Sequence, residues 1–377
     1  MRLKDICTVF TDGDWIESKD QSDEGIRLIQ TGNIGEGVYL EKEARAKYIS
    51  EDTFEKLKCT EIYPGDILVS RLPEPVGRAC IVPQKEGRMI TAVDCTICRP
   101  DESIVSKEYL CYFMRSNSYY MKLLGNVTGT TRKRISRKNL ENVKLDVPSK
   151  ENQKEVVKQL DCLSKVIDLR NKELQLFDNL IKARFVEMFG DPIINSFEVE
   201  TKPMTDVCEI IDGDRGKNYP TTDEFSDEGY CLFLNAKNVT STGFNFDTCM
   251  FVTKEKDEAL RKGKLSRGDV VLTTRGTLGN LAFYTEDIPF EHVRINSGMV
   301  ILRMKQDVVD EVYFIEQFKM QLADIREKIA SGSAQPQLPI STMNKINILI
   351  PGIEKQRQFA DFVKQVDKSK VAVLKIF

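Results

Sequence analysis

The sequence is short of histidine: 377 residues contain one, His292. A Ser-His-Asp relay or a histidine-rich metal site would have to be built on that residue alone. It lies in EHVRINSGMVILR, beside a strand-like run, where it reads as a structural or surface side chain. An excess of either charge is also missing. Lys and Arg total 55 against 58 Asp and Glu, a net charge of −3. Nucleic-acid contacts, if any, must therefore come from local patches or from partners. No run of 18 apolar residues is present, which argues against a membrane-spanning helix. The opening stretch MRLKDICTVF lacks the apolar core of a secretion signal. The ten cysteines are scattered, as reduced thiols of a cytoplasmic protein would be.

Catalytic signatures are absent as well. There is no G-x-x-x-x-G-K-[ST] phosphate loop and no G-x-G-x-x-G after a strand; the glycines of TGNIGEG (31–37) are wrongly spaced and read as a turn. Neither an Asn-Pro-Pro-Tyr-like methyltransferase motif nor a Pro-Asp…Glu-x-Lys nuclease constellation stands out. Cys95 and Cys98 form one Cys-x-x-Cys in VDCTICRP, without a second pair. In a strand they point to opposite faces, which does not suit zinc. These gaps favour a binding or scaffolding protein over an enzyme.

What the chain has is a long internal repeat. ICTVFTDGDW (6–15) is echoed by VCEIIDGDRG (207–216), and IRLIQTGNI (26–34) by YCLFLNAKNV (230–239). PGDILVSRLPEPVGRACIV (64–82) is echoed by RGDVVLTTRGTLGNLAFY (267–284), and TGTTRKRISRKNLENVKLDVP (128–148) by SGSAQPQLPISTMNKINILIP (331–351). Gly65 and Gly268, Gly129 and Gly332, and Pro148 and Pro351 each lie 203 positions apart. Four blocks in one order at nearly one offset mean a duplicated domain, since the period is too long for a solenoid. Within each copy, short Val/Ile/Leu-rich runs bounded by Gly, Pro, Asp and Asn predict strands. SKEYLCYFMRSNSYYMKLL (106–124) and VYFIEQFKMQLADIREKI (312–329) predict helices, so each copy is an α+β domain.

A different kind of sequence follows each copy. Residues 149–190 hold no proline, and no glycine until Gly190. Val156, Leu160, Leu163, Ile167, Leu174, Phe177, Ile181 and Met188 form a heptad-like stripe, with Arg170 and Arg184 filling two seam positions. That predicts a long helix, capped by Ser149 and stopped at Gly190-Asp191-Pro192. Near the C-terminus, Phe359, Val363, Val366, Val373 and Phe377 keep the stripe, with Lys370 between. Two such stripes can pair as an antiparallel coiled coil. The expected organisation is 1–148 as a first globular domain, 149–190 as a spacer helix, 191–351 as a second globular domain and 352–377 as a shorter helix.

Taken together, these features resemble the specificity (S) subunit of type I restriction-modification enzymes. IRLIQTGNI is similar to that family's Ile-Arg-x-Ile-x-x-x-Asn-Ile segment, and PGDILVSR and RGDVVLTTRG to its Gly-Asp-hydrophobic strand. SGSAQPQLPISTMNKINILIPGIEKQRQF resembles its run from a Gly-rich loop to a Glu-x-Gln helix start, and IKARFVEMFGDP the end of its central conserved region. The resemblance covers nearly the whole chain. It departs in its shorter second helix and in TGTTRKRIS, which replaces the Gln/Pro-rich loop of the second copy.

The resemblance implies two tandem target recognition domains in a pseudo-two-fold repeat, each reading half of a bipartite double-stranded DNA target, with helices that set the gap. It implies no catalytic site in this chain and a role in phage defence. Two methyltransferase (M) subunits would dock on the helices and bring the motor-nuclease (R) subunits. S-adenosylmethionine, ATP and Mg would be bound by those partners and no cofactor by this chain. Residue chemistry selects the DNA contacts: Arg, Lys, Asn and Gln for base edges, with Ser, Thr and basic side chains for phosphates. In the first copy these are Gln30, Asn33, Ser70, Arg71, Arg78, Thr130, Thr131, Arg132, Lys133 and Arg134. In the second they are Asn235, Lys237, Asn238, Thr274, Arg275, Asn280, Gln335 and Gln337. The Asn pair also fits turn positions, and Arg71 and Arg275 fit strand ends. A helical protein-protein scaffold without DNA binding is the alternative.

Overall fold

The computed structural model describes residues 1–129, 133–330 and 337–374, with backbone alone at 329 and 330. Thr130, Thr131, Arg132 and Gln335 lie outside the described residues. The chain divides into two compact units, Met1–Asp168 and Leu169–Phe377.

The first unit is built on strands β1 (Cys7–Asp12), β2 (Ile26–Ile29), β3 (Ile67–Ser70), β4 (Ala79–Ile81), β5 (Met89–Thr91) and β6 (Cys95–Pro100). One antiparallel sheet has the order β1-β6-β3-β4. In a second sheet β2 runs parallel to β5, flanked by Tyr48–Ile49 and Glu61–Ile62. The Gly-Asp pair that starts β3 has a physical reason. Gly65 turns the chain at φ 95°, a region open to glycine. Asp66 then accepts the Tyr63 N–H at 2.8 Å and the Arg99 guanidinium at 2.7 and 2.8 Å, which ties the turn to β6.

Side chains of β6 alternate between two cores. Cys95 and Ile97 join Leu68 and Cys80 on one face. Cys98 joins Ile67 and Val69 on the other. Burial pushes the Cys95 thiol up to about 12 and raises that of Cys98 well above its usual value. The second face is covered by α1 (Lys107–Phe113) and α2 (Asn117–Leu124). The sequence suggested one helix here. Ser116 breaks it: its hydroxyl accepts the Tyr119 N–H at 3.2 Å, as Ser106 does for Tyr109, so each hydroxyl caps a separate helix.

The long helix α3 spans Lys150–Phe189, 40 residues, or roughly 60 Å. Its first turn is pinned by Gln153, which is fully buried. The side-chain oxygen of Gln153 accepts the Ser106 N–H at 2.8 Å, and its amide donates to the carbonyls of Ile104 and Pro148, each at 2.9 Å.

The second unit repeats the plan with β7 (Cys208–Asp212), β8 (Cys231–Leu234), β9 (Val270–Thr273), β10 (Leu281–Phe283), β11 (Val293–Ile295) and β12 (Met299–Met304). The antiparallel order is β7-β12-β9-β10, and β8 runs parallel to β11. Asp269 and Arg303 reproduce the Asp66–Arg99 pair at 2.9 and 2.8 Å. Thr8 bulges out of β1 between Cys7 and Val9, whereas β7 keeps an unbroken register with β12. One extra residue on one strand is what a bulge inserts, and it shifts the offset between copies. A single helix, α4 (Glu311–Ala330), stands where the first copy has two.

The final helix, α5 (Ile353–Leu374), packs on the C-terminal part of α3. Phe359 meets Phe185 and Phe189 at ring-centroid distances of 5.4 and 5.7 Å. Arg184 lies over Phe362, and Lys370 reaches Asp178 at 2.8 Å. Numbers rise along α5 as they fall along α3, so the pairing is antiparallel. The stripe is covered unevenly. Ile181 and Phe185 are buried, while Val156, Leu163 and Ile167 are exposed, as are Leu169 and Leu176 beside them. No helix of the described residues is long and apolar enough to cross a membrane.

Candidate nucleic-acid interface

Each domain brings three segments together: the residues after its first sheet strand, the end of the Gly-Asp strand, and the loop before the spacer helix. In the first domain, Asp12 at the end of β1 faces Arg71 at the end of β3, with Nε to Oδ1 at 3.3 Å. Arg71 Nη2 donates to the Val93 carbonyl at 2.6 Å. The described arms of the 128–136 loop reach the same spot. Val127–Thr128 pairs with Arg134–Ile135, the Ile135 N–H donates to the Arg71 carbonyl, and Arg134 meets Asp94 at 2.8 Å. Lys133 and Arg134 are exposed here.

The second domain builds the same corner with different side chains. Asp212 is the equivalent of Asp12, because Asp12 pairs with Thr96 and Asp212 with Val300. Ser297 then corresponds to Val93. Here Arg215 supplies the guanidinium: its Nη2 lies 3.1 Å from Asp212 and donates to the Ser297 carbonyl at 3.2 Å. Thr274 stands where Arg71 stands and donates its hydroxyl to the Gly298 carbonyl at 3.0 Å. The Leu338 N–H donates to Thr274, and Arg275 bridges to Gln337. Arg215, Arg275 and Gln337 line one cleft of about 190 Å³ with Asp212.

Of the described residues selected from sequence, Lys133, Arg134, Lys237, Arg275 and Gln337 are exposed. Gln30, Asn235 and Asn280 are half-buried. Asn33, Ser70, Arg71, Arg78, Asn238 and Thr274 are buried, and each donates from its side chain inside its own domain, while Arg71 Nε faces Asp12 without a hydrogen bond. Asn33 closes a turn by accepting the Gln30 N–H and donating to the Leu40 carbonyl. Asn238 does the same with Asn235 and Asn245. Arg78 donates to the carbonyls of Thr31, Ile34, Leu72 and Pro75. Burial lowers the pKa of its guanidinium. Its counterpart Asn280 makes the equivalent tie to the Val239 carbonyl at 3.0 Å. In this conformation these groups hold the corner in shape and do not present a donor to a ligand.

Two exposed residues of the corner escaped the chemical selection. Trp15 is 69% exposed and follows the Gly13-Asp14 turn as Arg215 follows Gly213-Asp214. The signal was available, since matching Asp12-Gly13-Asp14 to Asp212-Gly213-Asp214 sets Trp15 against Arg215. Among the described residues, no group of His, Cys, Asp and Glu could hold a metal ion.

The family model for the type I restriction modification DNA specificity domain matches this chain twice, over residues 1–176 and 197–375. The chain belongs to that family. It carries two of these specificity domains, one in each half. The chain is similar to the type I restriction enzyme MjaVIII specificity subunit of Methanocaldococcus jannaschii, 23% identical over 282 residues that cover 70% of this chain and 64% of that relative. The matched stretch thus spans less than two thirds of that relative's length. A second relative from the same organism, provisionally assigned as the MjaX specificity subunit, is 20% identical over 97% of this chain and 85% of its own length. A solved chain from work on complex assembly and conformational transition of the type I R-M system shares the fold, at TM-score 0.53 and 16% identity, with 100% of this chain and 91% of that chain covered.

Proposed function

We propose that this specificity chain reads a bipartite double-stranded DNA target, one half-site per domain, and that residues 1–148 and 191–351 are the reading units. The observation that carries this is the repeated corner: one scaffold in two copies, with Lys133 and Arg134 exposed in one and Arg215, Arg275 and Gln337 in the other. Two half-sites of different sequence call for a shared scaffold with different surface donors. Phosphate contacts then come from Lys133, Arg134, Lys237 and the loop containing Thr130, Thr131 and Arg132. Base contacts come from Arg275, Gln337 and Gln335, with Gln30, Asn235 and Asn280 at the margins.

The helices act as the spacer, and their exposed apolar residues, Leu163 and Ile167 among them, suit docking of two methyltransferase subunits. Those subunits would carry S-adenosylmethionine and the adenine chemistry, and would recruit motor-nuclease subunits with ATP and Mg. This chain contributes recognition and no catalytic group, in the cytoplasm. Sequencing of methylated adenines in a host carrying the system tests the reading. A motif in two parts with a fixed gap is expected. A continuous motif, or none, overturns it.

The exposed stripe alone also fits a protein scaffold that never meets DNA. That reading requires the assembled complex to bind duplex DNA no better than its partners do without this chain.

A further inference from the structure

Asp12 and Asp212 each hold a guanidinium, but the arginine comes from different places. In the first domain it is Arg71, from the end of β3. In the second it is Arg215, from the turn after β7, and Thr274 occupies the β3-like position. The two positions have exchanged roles. Because Arg71 fills the space between Asp12 and the Val93 carbonyl, the residue after Gly13-Asp14 is released from that duty. The residue there is Trp15, the single tryptophan of the chain, 69% exposed and three residues after Asp12.

Exposing an indole costs solubility, and neither turn geometry nor core packing requires one at this place. Gly13 and Asp14 already fix the turn, since the Gly13 N–H donates to Cys95, the Asp14 N–H donates to Thr91, and the Asp14 carboxylate accepts the Thr60 N–H at 2.7 Å. The Trp15 indole N–H donates to Glu17 at 3.3 Å, and Glu17 is paired with Lys19 at 2.6 Å. With its donor engaged and the nearby carboxylate paired, Trp15 offers a ligand an apolar surface. In the major groove the apolar feature of a base edge is the 5-methyl group of thymine. Arg215 offers the opposite chemistry. Both of its bonds use Nη2, so among the described residues its Nε and Nη1 hydrogens remain, each open for a single hydrogen bond to an acceptor such as O6 or N7 of guanine.

We infer that Trp15 is a base-reading residue of the first domain, packing against a thymine methyl in the first half-site, and that Arg215 holds the equivalent reading position in the second. This rests on the DNA-reading function proposed above. The test uses the chain assembled with its methyltransferase subunits and duplexes carrying the methylated motif, with deoxyuridine replacing each first half-site thymine in turn. For the native chain, one replacement lowers affinity about tenfold. Trp15→Ala lowers affinity for the unmodified duplex by a similar factor and abolishes the effect of that replacement. Trp15→Phe keeps the methyl sensitivity, and second half-site replacements act equally on all three proteins. Thermal midpoints of the isolated chain, unchanged because Trp15 is exposed, separate this from misfolding. If binding stays sequence-specific but deoxyuridine affects the native and Trp15→Ala proteins equally at every position, the Trp15 assignment is wrong and the recognition function stands. If the complex shows no sequence-specific binding, both fall.

Discussion

Gln356 repeats the hydrogen bonds of Gln153. Both are fully buried in the first turn of a spacer helix. Each side-chain oxygen accepts one backbone N–H, from Asp310 and Ser106 respectively, at 2.9 and 2.8 Å. Each amide donates to two carbonyls, those of Val308 and Pro351 for Gln356 and of Ile104 and Pro148 for Gln153. Replacing either by Ala leaves one N–H and two carbonyls buried without partners, which costs about 2–3 kcal/mol. Urea denaturation measures the loss. Amide hydrogen exchange at Ser106 or Asp310 should rise in the matching variant, and an unchanged rate would show that the glutamine does not secure the joint.

Phe359 is fully buried among Phe185, Phe189 and Tyr313. Phe359→Ala opens a cavity at the α3–α5 contact and should cost about 3–5 kcal/mol. Lys370→Ala removes a partly exposed pair with Asp178 and should cost under about 1 kcal/mol. Calorimetry of the two variants ranks packing against charge. A larger loss for Lys370→Ala would mean that charge holds this helix pair.

Lys133 and Arg275 are exposed at the two corners. If both touch phosphate, Lys133→Ala and Arg275→Ala each reduce the slope of log affinity against log salt by about 0.9. If Arg275 reads a base instead, its replacement relaxes one position of the second half-site and also weakens binding. Filter binding at several salt concentrations distinguishes these outcomes. Unchanged slope and affinity in both variants would remove these side chains from the interface.

Asp257 lies buried between Arg294 and Lys264. Burial raises its carboxyl pKa, but the hydrogen bonds and charges of the two cations outweigh that and leave it below 3.8. A carboxyl whose folded pKa lies below its unfolded value contributes stability that is complete above the unfolded value and lost as pH falls through the folded one. The contribution of this cluster should therefore begin to fall below about pH 4 and be lost as the pH drops through the lowered folded value. Urea midpoints between neutral pH and pH 2.5 should fall more steeply for the native chain than for Asp257→Asn. Parallel curves would assign the acid sensitivity to other carboxylates.

Much of the fold could be read from the sequence because its signals are local or periodic. Gly65-Asp66 and Gly268-Asp269 mark a turn whose geometry needs glycine and whose carboxylate needs a partner. Heptad spacing gave α3. The break at Ser116 was harder to see, because a serine cap inside an apolar pattern shows only in three dimensions. The corner was legible as a place but not residue by residue. Selecting by donor chemistry favoured Arg78, Ser70 and Asn238, whose donors satisfy backbone carbonyls inside the fold. It passed over Trp15, whose side chain has little to offer in hydrogen bonds. Whether a donor faces inward or outward depends on strand register and turn contacts from distant parts of the chain.

The exchange between Arg71 and Arg215 carries a consequence for descent. The carboxylate at the end of the first sheet strand is held by one guanidinium in each domain, Arg71 on Asp12 and Arg215 on Asp212, each of which also donates to the neighbouring carbonyl. Across related domains, arginine at the position of Trp15 and arginine at the position of Arg71 should therefore exclude one another. A lineage passing from one arrangement to the other must change both sites together or cross an intermediate with an unpaired acid. Such coupled steps leave a correlated pair in an alignment, at two positions 56 residues apart in this chain, and domains should sort into two groups by which strand end supplies the charge.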